Sequence, residues 1–136
     1  MAKASSPTGV TLLLPWLDSD LSPNARPHHM AKARKIKAYK QAAALVASDA
    51  RRQLGRTLKP PVKAAWVFVV PDGRKRDTDN MTSNYGCKAA IDACVLEGLL
   101  EDDDHTRLSW AEPEVWRTHP LVKAPAVVLT LDEVEP

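Results

Sequence analysis

Two carboxylates, Asp77 and Asp79, stand at i and i+2 within Arg74-Lys75-Arg76-Asp77-Thr78-Asp79-Asn80, directly after three cations. In an extended segment both would project to the same side of the chain. Paired carboxylates repel each other unless a cation lies between them, and such hard oxygen donors suit Mg²⁺ or Mn²⁺. The competing role for this segment is to cap a following helix with Asp79 or Asn80 while the charges face solvent. A second acidic run, Asp102-Asp103-Asp104, follows later in the chain. It could be a solvated loop, or it could meet the first pair if the loop folds back beside the central strand or across a dimer interface. Lys88 lies between the two runs, one helical turn before Asp92. It is placed either for an i,i+4 ion pair worth a few tenths of a kcal/mol or for reaching a phosphate oxygen beside a metal. Of the four histidines, only His105 stands near this chemistry, and no His or Cys spacing describes a zinc site.

The elements that must position these residues can be read from pattern. Val10 to Trp16 is an apolar run led by β-branched residues, which predicts a first strand. Asp18 to His29, with Ser22-Pro23-Asn24 and Pro27, has turn chemistry and no period. Met30 to Leu54 holds no Gly or Pro, is rich in Ala, Lys, Arg and Gln, and is followed by Gly55, which predicts a long helix with a glycine stop. Val62 to Val70 reads as a central strand and Pro71-Asp72-Gly73 as a turn. A second helix is expected from about Thr82 to Glu97, stopped by Gly98, with Cys87, Ile91, Cys94 and Val95 as its buried stripe. Arg107 to Thr118 and Ala126 to Asp132 read as closing strands. The order β-α-β-α-β-β predicts a single small α+β (mixed α/β) domain, helices packed on a small mixed sheet. Residues 1–9 are expected to be a flexible lead-in and 10–136 the domain.

Length and charge narrow the class further. A chain of 136 residues with 44% hydrophobic and 26% charged residues has the composition of one globular domain. Its longest apolar run, Ala64 to Val70, is too short to cross a bilayer, and no secretory signal is evident. Cys87 and Cys94, two helical turns apart, are too distant for a disulfide and fit buried thiols in a reducing cytoplasm. The net charge of +2 conceals an asymmetry. From Arg26 to Lys59 ten basic residues meet one acid, Asp49, whereas from Asp92 to Pro136 eleven acids meet three bases. One part is suited to a polyanion, the other to cations. Trp16, Trp66, Trp110 and Trp116 fall mostly in strands, where core or interface roles outweigh base stacking.

Ordered pieces across about residues 10 to 131 resemble a RusA-type Holliday junction resolvase. They are Leu14-Pro15-Trp16, Leu21-Ser22-Pro23-Asn24-Ala25-Arg26 with Lys32-Ala33-Arg34, the basic Asp77-Thr78-Asp79-Asn80 segment, Lys88-Ala89-Ala90-Ile91-Asp92-Ala93, Gly98-Leu99-Leu100 and Asp102-Asp103-Asp104. The resemblance implies a homodimeric, Mg²⁺- or Mn²⁺-dependent endonuclease that resolves four-way DNA junctions by paired symmetric nicks. By position, it makes Asp77, Asp79 and Asp103 the catalytic metal ligands, with Asp104 as alternate, and Lys88 the catalytic lysine. Arg76 matches a basic residue that handles DNA. Arg74 and Lys75 beside it, with Arg26, Lys32, Arg34 and Lys35 on and before the first helix, are the expected phosphate contacts. Lys88 lies eight residues after Asn80, further than in the family pattern. The added residues would form either a longer loop, which keeps Lys88 near the carboxylates, or an added turn of helix, which would aim it elsewhere.

Overall fold

In a computed structural model, residues 9–22, 29–76 and 78–134 are described, together with the backbone but not the side chains of Asp79 and Asn80. Asp77, Arg26 and nearly all of the expected N-terminal lead-in therefore lie outside the described residues. Five strands form one mixed sheet in the order β1-β5-β2-β3, with β4 also paired to β2. The strands are β1 (Gly9–Leu14), β2 (Val62–Val69), β3 (Leu108–Trp110), β4 (Glu114–Trp116) and β5 (Ala126–Glu133). β5 lies antiparallel between β1 and β2, whereas β3 and β4 run parallel to β2 along its other side. A parallel pair needs a long crossover, and here it is made by α2 (Thr78–Thr82) and α3 (Tyr85–Leu96). α1 (His29–Leu54) connects β1 to β2 and, like α3, buries one side in the common core. The predicted α+β architecture is the one observed.

The core lies between the helices and one face of the sheet. Leu12, Leu14, Val62, Ala64, Trp66, Phe68, Val127, Leu129 and Leu131 supply the sheet side, alternating along their strands as the pleat requires. Tyr39, Ala43 and Ala47 face them from α1, and Cys87, Ala90, Ile91 and Cys94 from α3. Small residues on both helices allow them to approach closely. Both thiols are free and fully buried, and burial pushes each up to about 12, so they are inert packing groups.

Both predicted glycine stops are found, at Gly55 (φ 80°) and Gly98 (φ 78°), where a side chain would be strained. After Gly98 the N–H groups of Leu99 and Leu100 both donate to the Cys94 carbonyl (2.9 and 3.1 Å), and these two leucines bury beneath the turn. Two expectations are corrected. The single strand from Arg107 to Thr118 is two short strands, because the chain leaves β2 between them; Ala111 N–H makes a last bond to the Ala64 carbonyl (2.8 Å), and Pro113 has no N–H to continue the ladder. The second helix is likewise broken. Thr78–Thr82 forms a separate short turn, and α3 begins afresh at Tyr85 with Asn84, not Asp79 or Asn80, as its N-cap.

Candidate functional site

Asn84 is the residue around which the site is built, and it is only 4% exposed. Its side-chain oxygen accepts from Gly86 N–H (2.7 Å), satisfying a free donor of α3, while its amide donates to the Asp18 carbonyl (3.1 Å). That second bond ties the start of α3 to the connection after β1. Tyr39 on α1 fastens the same connection by donating to the Pro15 carbonyl (2.7 Å), and burial raises its phenol well above the usual range. The anchor holds α3 so that Tyr85, Lys88 and Ile91, three residues apart, share one side of the helix.

That side borders a cleft of about 390 Å³, lined also by Thr82 and Ser83, Asp103, Leu108 and Trp110. The far wall is the sheet edge, where Trp110 pairs in register with Ala64 and therefore faces the helix layer. The acidic loop closes the remaining side. Arg107 locks it by donating to Glu101 (2.8 Å) and Asp104, and Asp104 also accepts from Thr106 N–H (2.9 Å) and its hydroxyl. The Thr106 bonds first, and Arg107 with them, hold the Asp104 carboxyl down at about 2. Asp104 is thus engaged in shaping the turn. Asp103, its neighbour, turns instead toward the cleft, with its carboxylate 3.5 Å from Lys88 Nζ.

Lys88 bonds Asp92 at 2.7 Å as well, and that bond, reinforced by Asp103, raises its pKa and keeps it cationic. The i,i+4 pair is present, and Lys88 also lies beside Asp103 of the acidic run, so the two placements weighed as alternatives are not exclusive. The five residues of α2 are helical, yet the break at Asn84 resets the helix register, so an added turn does not carry Lys88 away from Asp103. The expected extended geometry at Asp77 and Asp79 is not met on the Asp79 side, since Asp79 lies within α2. Asp77 itself lies outside the described residues. Among the described residues no group of three His, Cys, Asp or Glu side chains could hold a metal ion. Of the expected ligands, Asp103 lines the cleft, and α2, which carries Asp79, ends at its wall with Thr82.

On the other side of Asn84 a second cleft, of about 450 Å³, is lined by Trp16, Ser19, Ser22, Arg74, Lys75 and Arg76. Asp72, a turn residue by its sequence, supports that wall from behind its arginines. Its carboxylate accepts from Arg74 N–H (3.0 Å), which with the Arg76 guanidinium (3.0 Å) holds it at about 2, and it orients both arginines. Of the expected phosphate contacts on α1, Arg34 is exposed, Lys32 lies over the Tyr85 ring (3.9 Å), and Lys35 is taken up by Asp18 (3.3 Å) and Asp20. Lys35 is correspondingly raised in pKa, chiefly by Asp20. The tryptophans divide, Trp66 being fully buried while Trp110 and Trp116 are 44% and 39% exposed. Strand alternation places Trp110 on the face of buried Leu108, so the sequence carried no signal of that exposure.

No family model matches the chain. It is similar to an uncharacterized protein of Xylella fastidiosa (strain Temecula1 / ATCC 700964), with 39% identity over 79 residues, a stretch that covers 55% of this chain and 50% of that protein. The match therefore spans about half the length of each.

Proposed function

We propose that the protein is a metal-dependent, structure-specific endonuclease of the RusA type, resolving four-way DNA junctions by paired symmetric nicks. The observation that carries this reading is the return of Asp103 to Lys88 beside the α2–α3 junction, which draws together two groups far apart in sequence. A cation 3.5 Å from an acid at a cleft rim suits a site that must accept a phosphate and neutralise the charge that develops on it. Asp77, Asp79 and Asp103 would hold the Mg²⁺ or Mn²⁺ ion, which when bound supplies Lewis acidity and a water of lowered pKa. Lys88 would steady a phosphate oxygen in the transition state, and its bond to Asp92 holds the ammonium in place.

The basic wall of the second cleft, Arg74 to Arg76, would follow the backbone beside the cut, with Arg34 and Lys32 meeting a junction arm. Two coordinated nicks related by a two-fold axis call for two sites, hence a homodimer. No helix of the described residues is long and apolar enough to cross a membrane.

The test is cleavage of a synthetic four-way junction, with linear duplex and flap DNA as controls. Paired nicks that appear with Mg²⁺ and vanish with a chelator are expected. Tight junction binding without cleavage at any Mg²⁺ or Mn²⁺ concentration would show a branched-DNA-binding protein instead, and equal cutting of flaps would move the assignment to another branched substrate.

A further inference from the structure

Trp110 and Tyr85 present aromatic surface to the same cleft that holds Lys88 and Asp103, and both are over two-fifths exposed (44% and 41%). Two large rings open on one cleft, with the Lys88 ammonium in the same lining, form an amphipathic wall suited to a flat apolar group that carries a negative charge at its edge. Trp110 is also braced. Its ring lies 5.3 Å from that of buried Trp66, which in turn stacks on Phe68 at 6.2 Å, so one side is backed by an aromatic column while the other stays open. Tyr85 is held from the opposite wall by α3 and by Lys32 over its ring. Among the described residues Asp103 is the one acid of the lining, and Lys88 offsets it.

We propose that this cleft receives an unstacked nucleobase, seated against Trp110 with Tyr85 opposite, from the nucleotide next to the phosphate that Lys88 meets. The inference rests on the nuclease reading and adds to it a residue that selects substrate. Every base has a π-face, so Trp110 favours DNA with bases free to leave the stack, as at the exchange point of a junction, over continuous duplex. The uncharged base enters against apolar Ile91 and Leu108, while its phosphate stays at the Lys88 rim.

The test is a set of four-way junctions, each with a single abasic site at one nucleotide around the exchange point, bound in Ca²⁺ to separate affinity from cleavage. For the unaltered protein one abasic position near the scissile phosphate is expected to weaken binding by about tenfold, within the range of one stacked base. In Trp110→Ala that abasic penalty disappears, and in Trp110→Phe it largely persists. Because the Trp110 ring packs on Trp66, Trp110→Ala is expected to lower the unfolding midpoint, while its circular dichroism at the assay temperature matches the unaltered chain and Trp110→Phe keeps most of that packing. An abasic penalty of equal size in Trp110→Ala and the unaltered protein overturns the stacking site while leaving the nuclease reading intact. Failure of the unaltered protein to prefer any branched DNA over duplex overturns both.

Discussion

Lys88→Ala separates a catalytic group from a surface ion pair because the geometry assigns the two roles very different sizes. The ammonium lies 2.7 Å from Asp92 and 3.5 Å from Asp103, but the lysine side chain is 64% exposed and each carboxylate 37%. Pairs so open to water are screened, so their loss costs folding only about 0.2–0.5 kcal/mol. If the ammonium instead steadies a phosphate oxygen in the transition state, its removal should slow the chemical step by about 10²-fold, equivalent to about 2.7 kcal/mol. Junction affinity should fall much less, since Arg74, Lys75 and Arg34 remain. Single-turnover cleavage at saturating junction and Mg²⁺ reads the first quantity, and urea denaturation reads the second. A rate within about twofold of the unaltered protein, with an unchanged unfolding midpoint, would refute the catalytic role. A loss of more than about 1 kcal/mol of stability would refute the claim that the pair is only a screened surface contact.

Asp103→Asn should abolish cleavage, whereas Asp104→Asn should retain turnover within about tenfold, since only Asp103 faces Lys88; the reverse pattern in the same assay would make Asp104 the ligand. Asp104 should instead appear in acid stability. Its folded pKa of about 2 lies below the ordinary 3.8, so its contribution is present above about pH 4 and fades as pH falls toward 2; Asp104→Asn should flatten that part of the stability–pH curve, and an unchanged curve would contradict the Thr106 and Arg107 bonds. Gly86→Ala would ordinarily gain about 1 kcal/mol in a helix, but its Cβ would lie 2.9 Å from Asn84 Oδ1 and 3.1 Å from Leu17 Cδ2. The buried cap cannot move freely, so a net loss of about 1–2 kcal/mol in urea denaturation is expected, and a gain would show that α3 is not so tightly seated. Arg34→Ala should lower the slope of log affinity against log salt by about 1, while Lys35→Ala should hardly change it, because Asp18 and Asp20 already hold that ammonium.

The composition, the helix–glycine stops and the alternating strands were enough to predict one α+β domain, since those features follow from local backbone preference and burial period. The chain also displayed its charged segments and Lys88 openly. What it could not disclose was which of three adjacent aspartates meets that lysine, because the choice depends on Arg107 locking the turn through Glu101 and Asp104. Nor could it show that the residues after Asn80 make a short helix and then restart. That break is set by Asn84, whose cap bond is local but whose second bond reaches Asp18 across 66 positions of sequence. The open face of Trp110 has the same origin: a strand pattern predicts which side a residue takes, but only the parallel pairing with β2 puts that side at an edge beside α3. Local propensity thus determined the elements, and long-range hydrogen bonds and ion pairs decided which side chains share the cleft.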